Sequence, residues 1–118
     1  ASGHVTCALD RLFYSAGRTM AYKPAAAVVS ARRGGTTAAL DQLNKYFTIS
    51  QMPVVSSRYW NMVHGNTPEE VRQDQEGLSV MRTLAHNMAW LLKSIQAGRD
   101  AGLPGPVQEP PARTNFIR

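Results

Sequence analysis

Apolar and polar residues change period several times along this chain, and each change marks an element. From His4 the apolar residues Val5, Ala8, Leu9, Leu12 and Phe13 recur at three and four, which predicts one face of an amphipathic helix. Ser2 is placed to cap that helix and Gly17 to end it, with Arg18 near the negative end of its dipole. Cys7 and Tyr14 fall inside it and read as packing residues, since no basic neighbour is at hand to activate the thiol. Residues 18–23 connect to Pro24 and a bounded apolar run, Ala25 to Val29. That run does not alternate and ends in β-branched residues, so it predicts a central parallel strand buried on both faces.

The pattern turns polar and glycine-rich at Ser30, then helical from about Thr37 to Thr48, with Ala38, Ala39, Leu43, Tyr46 and Phe47 on one face. Met52 to Val55 predicts a second strand, with Pro53 at a position that tolerates a missing N–H. A long aromatic-rich connection, Ser56 to Gly65, follows. Asn66-Thr67-Pro68-Glu69-Glu70 is a helix start, with Thr67 as N-cap, Pro68 in the first turn and Glu70 closing a capping box. One long helix is expected beyond it, its stripe made by Leu78, Met81, Ala85, Met88, Leu92 and Ile95 and widened by Leu84, Trp90 and Leu91. Gly77 is expected to bend it or permit close packing, Gly98 or Gly102 to stop it, and His86 to be solvated. From Leu103, Pro104, Pro106, Pro110 and Pro111 rule out regular structure. The expected organisation is one domain over residues 1–102 and a proline-rich tail over 103–118.

The order helix, strand, helix, strand, helix is half of a doubly wound α/β sheet. Two strands bury three apolar helices poorly, so the chain is expected to lack the first strands of its fold, and its exposed helix faces point to a homo-oligomer. At 118 residues it fits one domain. The net charge of +5 favours anionic ligands, but the basic residues are scattered, which argues against nucleic acid as the partner. The single Cys7 excludes an internal disulfide and, with no Cys/His cluster, gives no metal site; a reducing cytoplasm is the expected location. No apolar run reaches bilayer length, so no membrane partner is expected.

Two places carry candidate chemistry. The first is the loop Ser30, Ala31, Arg32, Arg33, Gly34, Gly35, Thr36, leaving a strand and entering a helix. Ligands of open parallel sheets sit at such loops, because the amides of the helix start are unpaired. The two glycines allow close approach of backbone, and the arginines and threonine add donors suited to an anion. The same residues also suit a plain strand-to-helix turn with two solvated arginines. The second place is the aromatic connection. Tyr59 and Trp60 offer flat faces for stacking, and Asn61 and His64 offer donors to a polar edge. A hydrophobic lid closing on its own domain or on a second subunit has the same composition.

Several stretches together resemble the NAD(P)H-dependent FMN reductase family: Ala1-Ser2-Gly3-His4 with Leu9-Asp10-Arg11-Leu12-Phe13, then Lys23 through Ala31, then Gly34-Gly35 and Leu40-Asp41-Gln42-Leu43. The resemblance covers nearly all of the chain up to the tail and implies a flavodoxin-like fold, of which this chain would be the C-terminal part. It implies that the first three strands and two helices are absent, and with them the loop that holds the FMN phosphate. The loop Ser30 to Thr36 resembles the segment that lies along the isoalloxazine edge. Ser2 and Gly3 resemble the remnant of the loop on the other side of the ring, and Tyr59 to Gly65 the lid near the flavin. The implied cofactor-binding residues are Ser2, Gly3, Ser30, Ala31, Arg32, Gly34, Gly35, Thr36, Trp60, Asn61 and His64. Relatives of the iron-sulfur flavoprotein type carry a compact cysteine motif that nothing here matches.

The activity implied is an oxidoreductase using FMN and NAD(P)H, in which hydride passes from nicotinamide to flavin and on to a small electron acceptor such as a quinone or free flavin. That chemistry belongs to the cofactor, so no catalytic acid or base is required of the chain. Two other classes fit the residues: a non-catalytic flavodoxin-like interaction domain, which would carry no flavin absorbance, and a small basic nucleic-acid binder, whose affinity would fall steeply with salt.

Overall fold

A computed structural model describes residues 1–117. It is a mixed α/β structure in which helix α1 (Gly3–Ala16) packs on helix α2 (Thr36–Ile49), while α2, α3 (Pro68–Gln73) and α4 (Gln75–Asp100) pack against two strands, β1 (Val29–Ala31) and β2 (Met62–His64). The strands pair in parallel with Val29 opposite Met62, Ser30 opposite Val63 and Ala31 opposite His64. Parallel pairing requires the crossover that α2 supplies.

The strand expected over Ala25 to Val29 is displaced. Ala25 makes a single parallel bridge to Val54, and the regular ladder begins only at Val29. Four residues separate the two contacts on one side (25 to 29) and eight on the other (54 to 62), so residues 56–60 bulge out of the sheet before Asn61 O accepts from Val29 N–H at 3.0 Å. The Asn61 side chain fills the gap by donating to the Ala27 carbonyl at 3.1 Å, in place of a ladder amide. The second strand therefore lies at Met62–His64, inside the expected aromatic connection, and Met52 to Val55 contributes one bridge. Burial on both faces is also corrected: Ala27 is buried, while Val28 is 52% exposed.

Side-chain alternation along β2 puts helices on opposite faces. Met62 joins Ala27 and Leu40 in the core on the α2 side, with Val29, Leu43 and Phe47 packed around them. Val63 faces α4, where a Cβ on Gly77 would come within 3.0 Å of its Cγ1. Gly77 thus permits close packing. The α4 seam is Gly77, Val80, Leu84, Asn87 and Leu91, rotated by one residue, or about 100°, from the expected stripe. Leu84 and Leu91, expected to widen the stripe, lie in this seam, and Leu78, Met81, Met88 and Ile95 are partly buried beside it; Ala85 and Leu92 face outward. Leu92 and Trp90 are exposed at 49% and 69%.

The expected single long helix is two. Asp74, at φ −74° and ψ 76°, leaves helical geometry and starts α4 by accepting from the Gly77 N–H at 2.9 Å. The start of α3 follows the expected capping box, with Thr67 accepting from the Glu70 N–H and the Glu70 carboxylate reaching the amide of Asn66, one residue earlier than usual. Gly102 ends α4 at φ +79°, with Leu103 N–H bonded to Gly98 O and Gly102 N–H to Arg99 O. Ser2 caps α1 through its carbonyl to Thr6 N–H, without a side-chain bond. Gly17 stays right-handed at φ −55°, and the chain runs on into a short 3₁₀ turn, Gly17–Met20. No residue of α1 is buried; Cys7 and Tyr14, expected to pack, are exposed. The tail has no regular structure among its described residues.

Candidate functional site

The C-terminal ends of β1 and β2 meet at the Ala31–His64 pair, which Gly65 N–H extends with a 3.2 Å bond to the Ala31 carbonyl. The loop Arg32 to Gly35 therefore leaves β1 beside His64, at the mouth formed by the two strand ends. Ligands of open parallel sheets bind at this end of the strands.

Arg32, Arg33, Gly34 and Gly35 are exposed. Gly35 stands at the N-cap of α2 with φ +88°, a conformation glycine adopts without cost. No side chain caps the helix, and its first intrahelical bond is Ala39 N–H to Gly35 O. The amides of the first turn are therefore free to donate outward. Space beyond both glycines is open, since a Cβ at either would meet nothing within 4 Å. Neither arginine takes part in the ion pairs found among the described residues. Ser30 is exposed and Ala31 partly buried beside this loop. Thr36 differs from expectation: it is buried, and its hydroxyl donates to Met62 Sδ at 3.2 Å, so it braces the core instead of facing a ligand.

On the other side, His64 is anchored through its backbone. Its N–H donates to Asp74 Oδ2 at 2.8 Å, while its Nδ1 stands 4.0 Å from the same oxygen. The amides of Gly77 and then His64 hold the Asp74 carboxyl below the usual carboxylate range. A cleft of about 220 Å³ opens beside His64, walled by Tyr59, Met62, Glu76 and Val80, with Asp74 and Gly77 at its base. The bulge reaches this cleft because Ser57 Oγ donates to Val80 O at 2.7 Å and Arg58 to Ser79 Oγ at 2.9 Å. Trp60 sits behind Tyr59, ring centroids 4.9 Å apart, and is 59% exposed. A second hollow of about 340 Å³, between Val54 and Trp90, belongs to the other end of the sheet and meets no glycine loop.

Of the expected site residues, Ala31 pairs with His64 and Ser30 with Val63, while Arg32, Gly34 and Gly35 follow in the exposed loop and line neither hollow; Trp60 packs against Tyr59. Asn61 turns away to Ala27, with its Oδ1 buried and unpartnered. Ser2 and Gly3 begin a helix whose contacts with α2 lie at Tyr46 and Phe47. Tyr46 is ten residues, about 15 Å, along α2 from Thr36. Sequence reasoning passed over Asp74 and Glu76, which the long-helix reading placed mid-helix. The signal was present in Asp74 standing three residues before Gly77, the spacing of a side-chain N-cap.

Among the described residues no His, Cys, Asp and Glu side chains gather to hold a metal, and no helix is long and apolar enough to cross a membrane. The β-α-β unit, with its glycine loop and free helix amides at the strand ends, is a piece of an open parallel α/β fold. The model of the NADPH-dependent FMN reductase family matches residues 1–67, and the chain belongs to that family. No curated protein and no solved structure matches it. The donor set fits FMN: free amides and guanidinium groups suit the electron-rich edge of its ring, the glycines leave room for it, and Tyr59 offers a flat wall.

Proposed function

We propose that this chain holds the isoalloxazine ring of FMN at the mouth between Arg32–Gly35 and His64, and serves an NAD(P)H-dependent flavin oxidoreductase. When bound, FMN supplies hydride transfer from a reduced nicotinamide to a small acceptor such as a quinone or free flavin. The chain supplies position and electrostatics. Arg32 and the first-turn amides of α2 hold negative charge on the ring, as preorganised donors do where charge develops. Gly34 and Gly35 admit the ring to van der Waals distance of the backbone, and Tyr59 shields one side of the cleft from water. The observation that carries this reading is the Ala31–His64 pair, which sets the glycine loop and His64 side by side at the ligand end of the sheet.

The test is a titration of FMN into the chain, read by quenching of flavin fluorescence. Saturable quenching, weakened about tenfold by Arg32→Ala as loss of one charge-assisted bond implies, is expected. Quenching that Arg32→Ala and Gly34→Val leave unchanged would place the flavin elsewhere.

A further inference from the structure

We infer that Asp74, outside the stretch the family model matches, is the positioning residue of the flavin mouth, an inference that rests on the reading above. One carboxylate performs two tasks. Oδ1 accepts from Gly77 N–H at 2.9 Å and starts α4; Oδ2 accepts from His64 N–H at 2.8 Å and fixes the last residue of β2. The strand end and the helix start are thereby tied through a single side chain. His64 follows Val63 in a strand only three residues long, so few ladder bonds hold it from the β1 side.

Gly77 belongs to the same device. A Cβ there would fall 2.4 Å from Asp74 Oδ2 and 3.0 Å from Val63 Cγ1, so any side chain pushes the carboxylate off the His64 amide. The Asp-x-x-Gly spacing is thus explained by both partners at once: the aspartate for its two acceptor oxygens, the glycine for the room they need. The consequence falls on the site, because His64 pairs with Ala31 and the next residue after Ala31 is Arg32. Loosening Asp74 lets the His64 side of the mouth drift while the glycine-loop side stays.

Capping and positioning separate in Asp74→Ser. Serine is as good an N-cap as aspartate, so α4 still starts, but its one short hydroxyl cannot also reach the His64 amide. Amide hydrogen exchange of the full chain reads the tie without any flavin, and FMN titration reads its effect on the mouth. In Asp74→Ser the expected result is unchanged helical circular dichroism, at least tenfold faster exchange at the His64 amide, and FMN affinity reduced about tenfold. Gly77→Ala is expected to reproduce the exchange and affinity changes from the other partner. Unchanged exchange at His64 overturns the tie itself. Faster exchange with FMN affinity equal to that of the parent chain overturns the positioning role. Failure of the parent chain to bind FMN, with the tie intact, overturns the flavin reading and this role with it.

Discussion

The phenol of Tyr46 donates a 2.5 Å hydrogen bond to the carboxylate of Asp10, joining α2 to a helix that buries none of its own residues. The rings of Tyr46 and Phe47 meet Phe13 at 5.4 and 6.2 Å, and the Tyr46 hydroxyl also reaches Thr6 O at 3.4 Å, so an aromatic cluster and one phenol tie α1 to α2. Bonding to Asp10 raises the Tyr46 pKa above its ordinary value of 10.0. A raised pKa means that the stabilisation is fully present below the unfolded value and is lost as pH climbs through the folded one. Tyr46→Phe is expected to speed amide exchange across α1 about tenfold at pH 7 while leaving β1, β2 and α4 protected. The difference between the two forms should vanish in alkali, above the folded Tyr46 pKa.

Asp74 acts at the opposite end of the pH scale. Its depressed pKa stabilises the fold above the unfolded carboxylate value of about 3.9, and that stabilisation is lost as pH falls through the lower folded value. Asp74→Ala is expected to cost about 2 kcal/mol at pH 7, as the loss of a helix cap does. The gap between parent and variant should narrow in urea melts as pH falls through the lowered folded Asp74 pKa.

Three glycines of the ligand end separate packing from access. A Cβ at Gly65 would lie 2.6 Å from the Val71 amide nitrogen, a backbone atom of α3 that cannot step aside alone. Gly65→Ala should destabilise by about 2 kcal/mol, the usual penalty of overpacking. Gly35→Ala meets no atom but keeps φ at +88°, so it should cost about 1 kcal/mol. Gly34→Ala has neither problem and should leave stability within about 0.5 kcal/mol. If the loop faces the flavin, the last two variants weaken FMN binding beyond their effect on stability.

Much apolar surface stays uncovered. The chain exposes 9169 Å², against about 6,300 Å² for a compact monomer of its mass. Its radius of gyration is 17.4 Å, against about 13.5 Å for a compact chain of this length. The extended tail contributes to both; outside it Val5, Leu12, Val28, Trp90 and Leu92 also stand exposed. Sedimentation velocity should therefore show mass rising with protein concentration. A concentration-independent monomer would contradict self-association.

What the sequence made legible was local. The helix start at Thr67, the glycine loop before α2 and the stop at Gly102 each depend on a residue's own backbone preference, and each stands where that preference puts it. The strands depended on distant partners. Asn61 bonding to Ala27 splits the pairing and moves β2 beyond the aromatic bulge, a consequence of a contact 34 residues apart that no local period encodes. The α4 seam is centred about one residue from the expected stripe, through Leu84 and Leu91 that were expected at its margin, because glycine and asparagine pack at Gly77 and Asn87. Thr36 was a plausible donor in sequence, and only packing shows its hydroxyl turned to Met62. The glycine turn into α2 was legible from type and order, while Asp74 was hidden by a helix pattern that ran straight through it.

The most direct measurement is a residue-by-residue map of amide chemical shifts in the chain as FMN is added. The account predicts shifts concentrated at residues 30–36 and at His64, with smaller ones at Tyr59 and Asp74 and none along the outer face of α4. Shifts gathered instead around Val54 and Trp90, or no saturable shift at all, would contradict it.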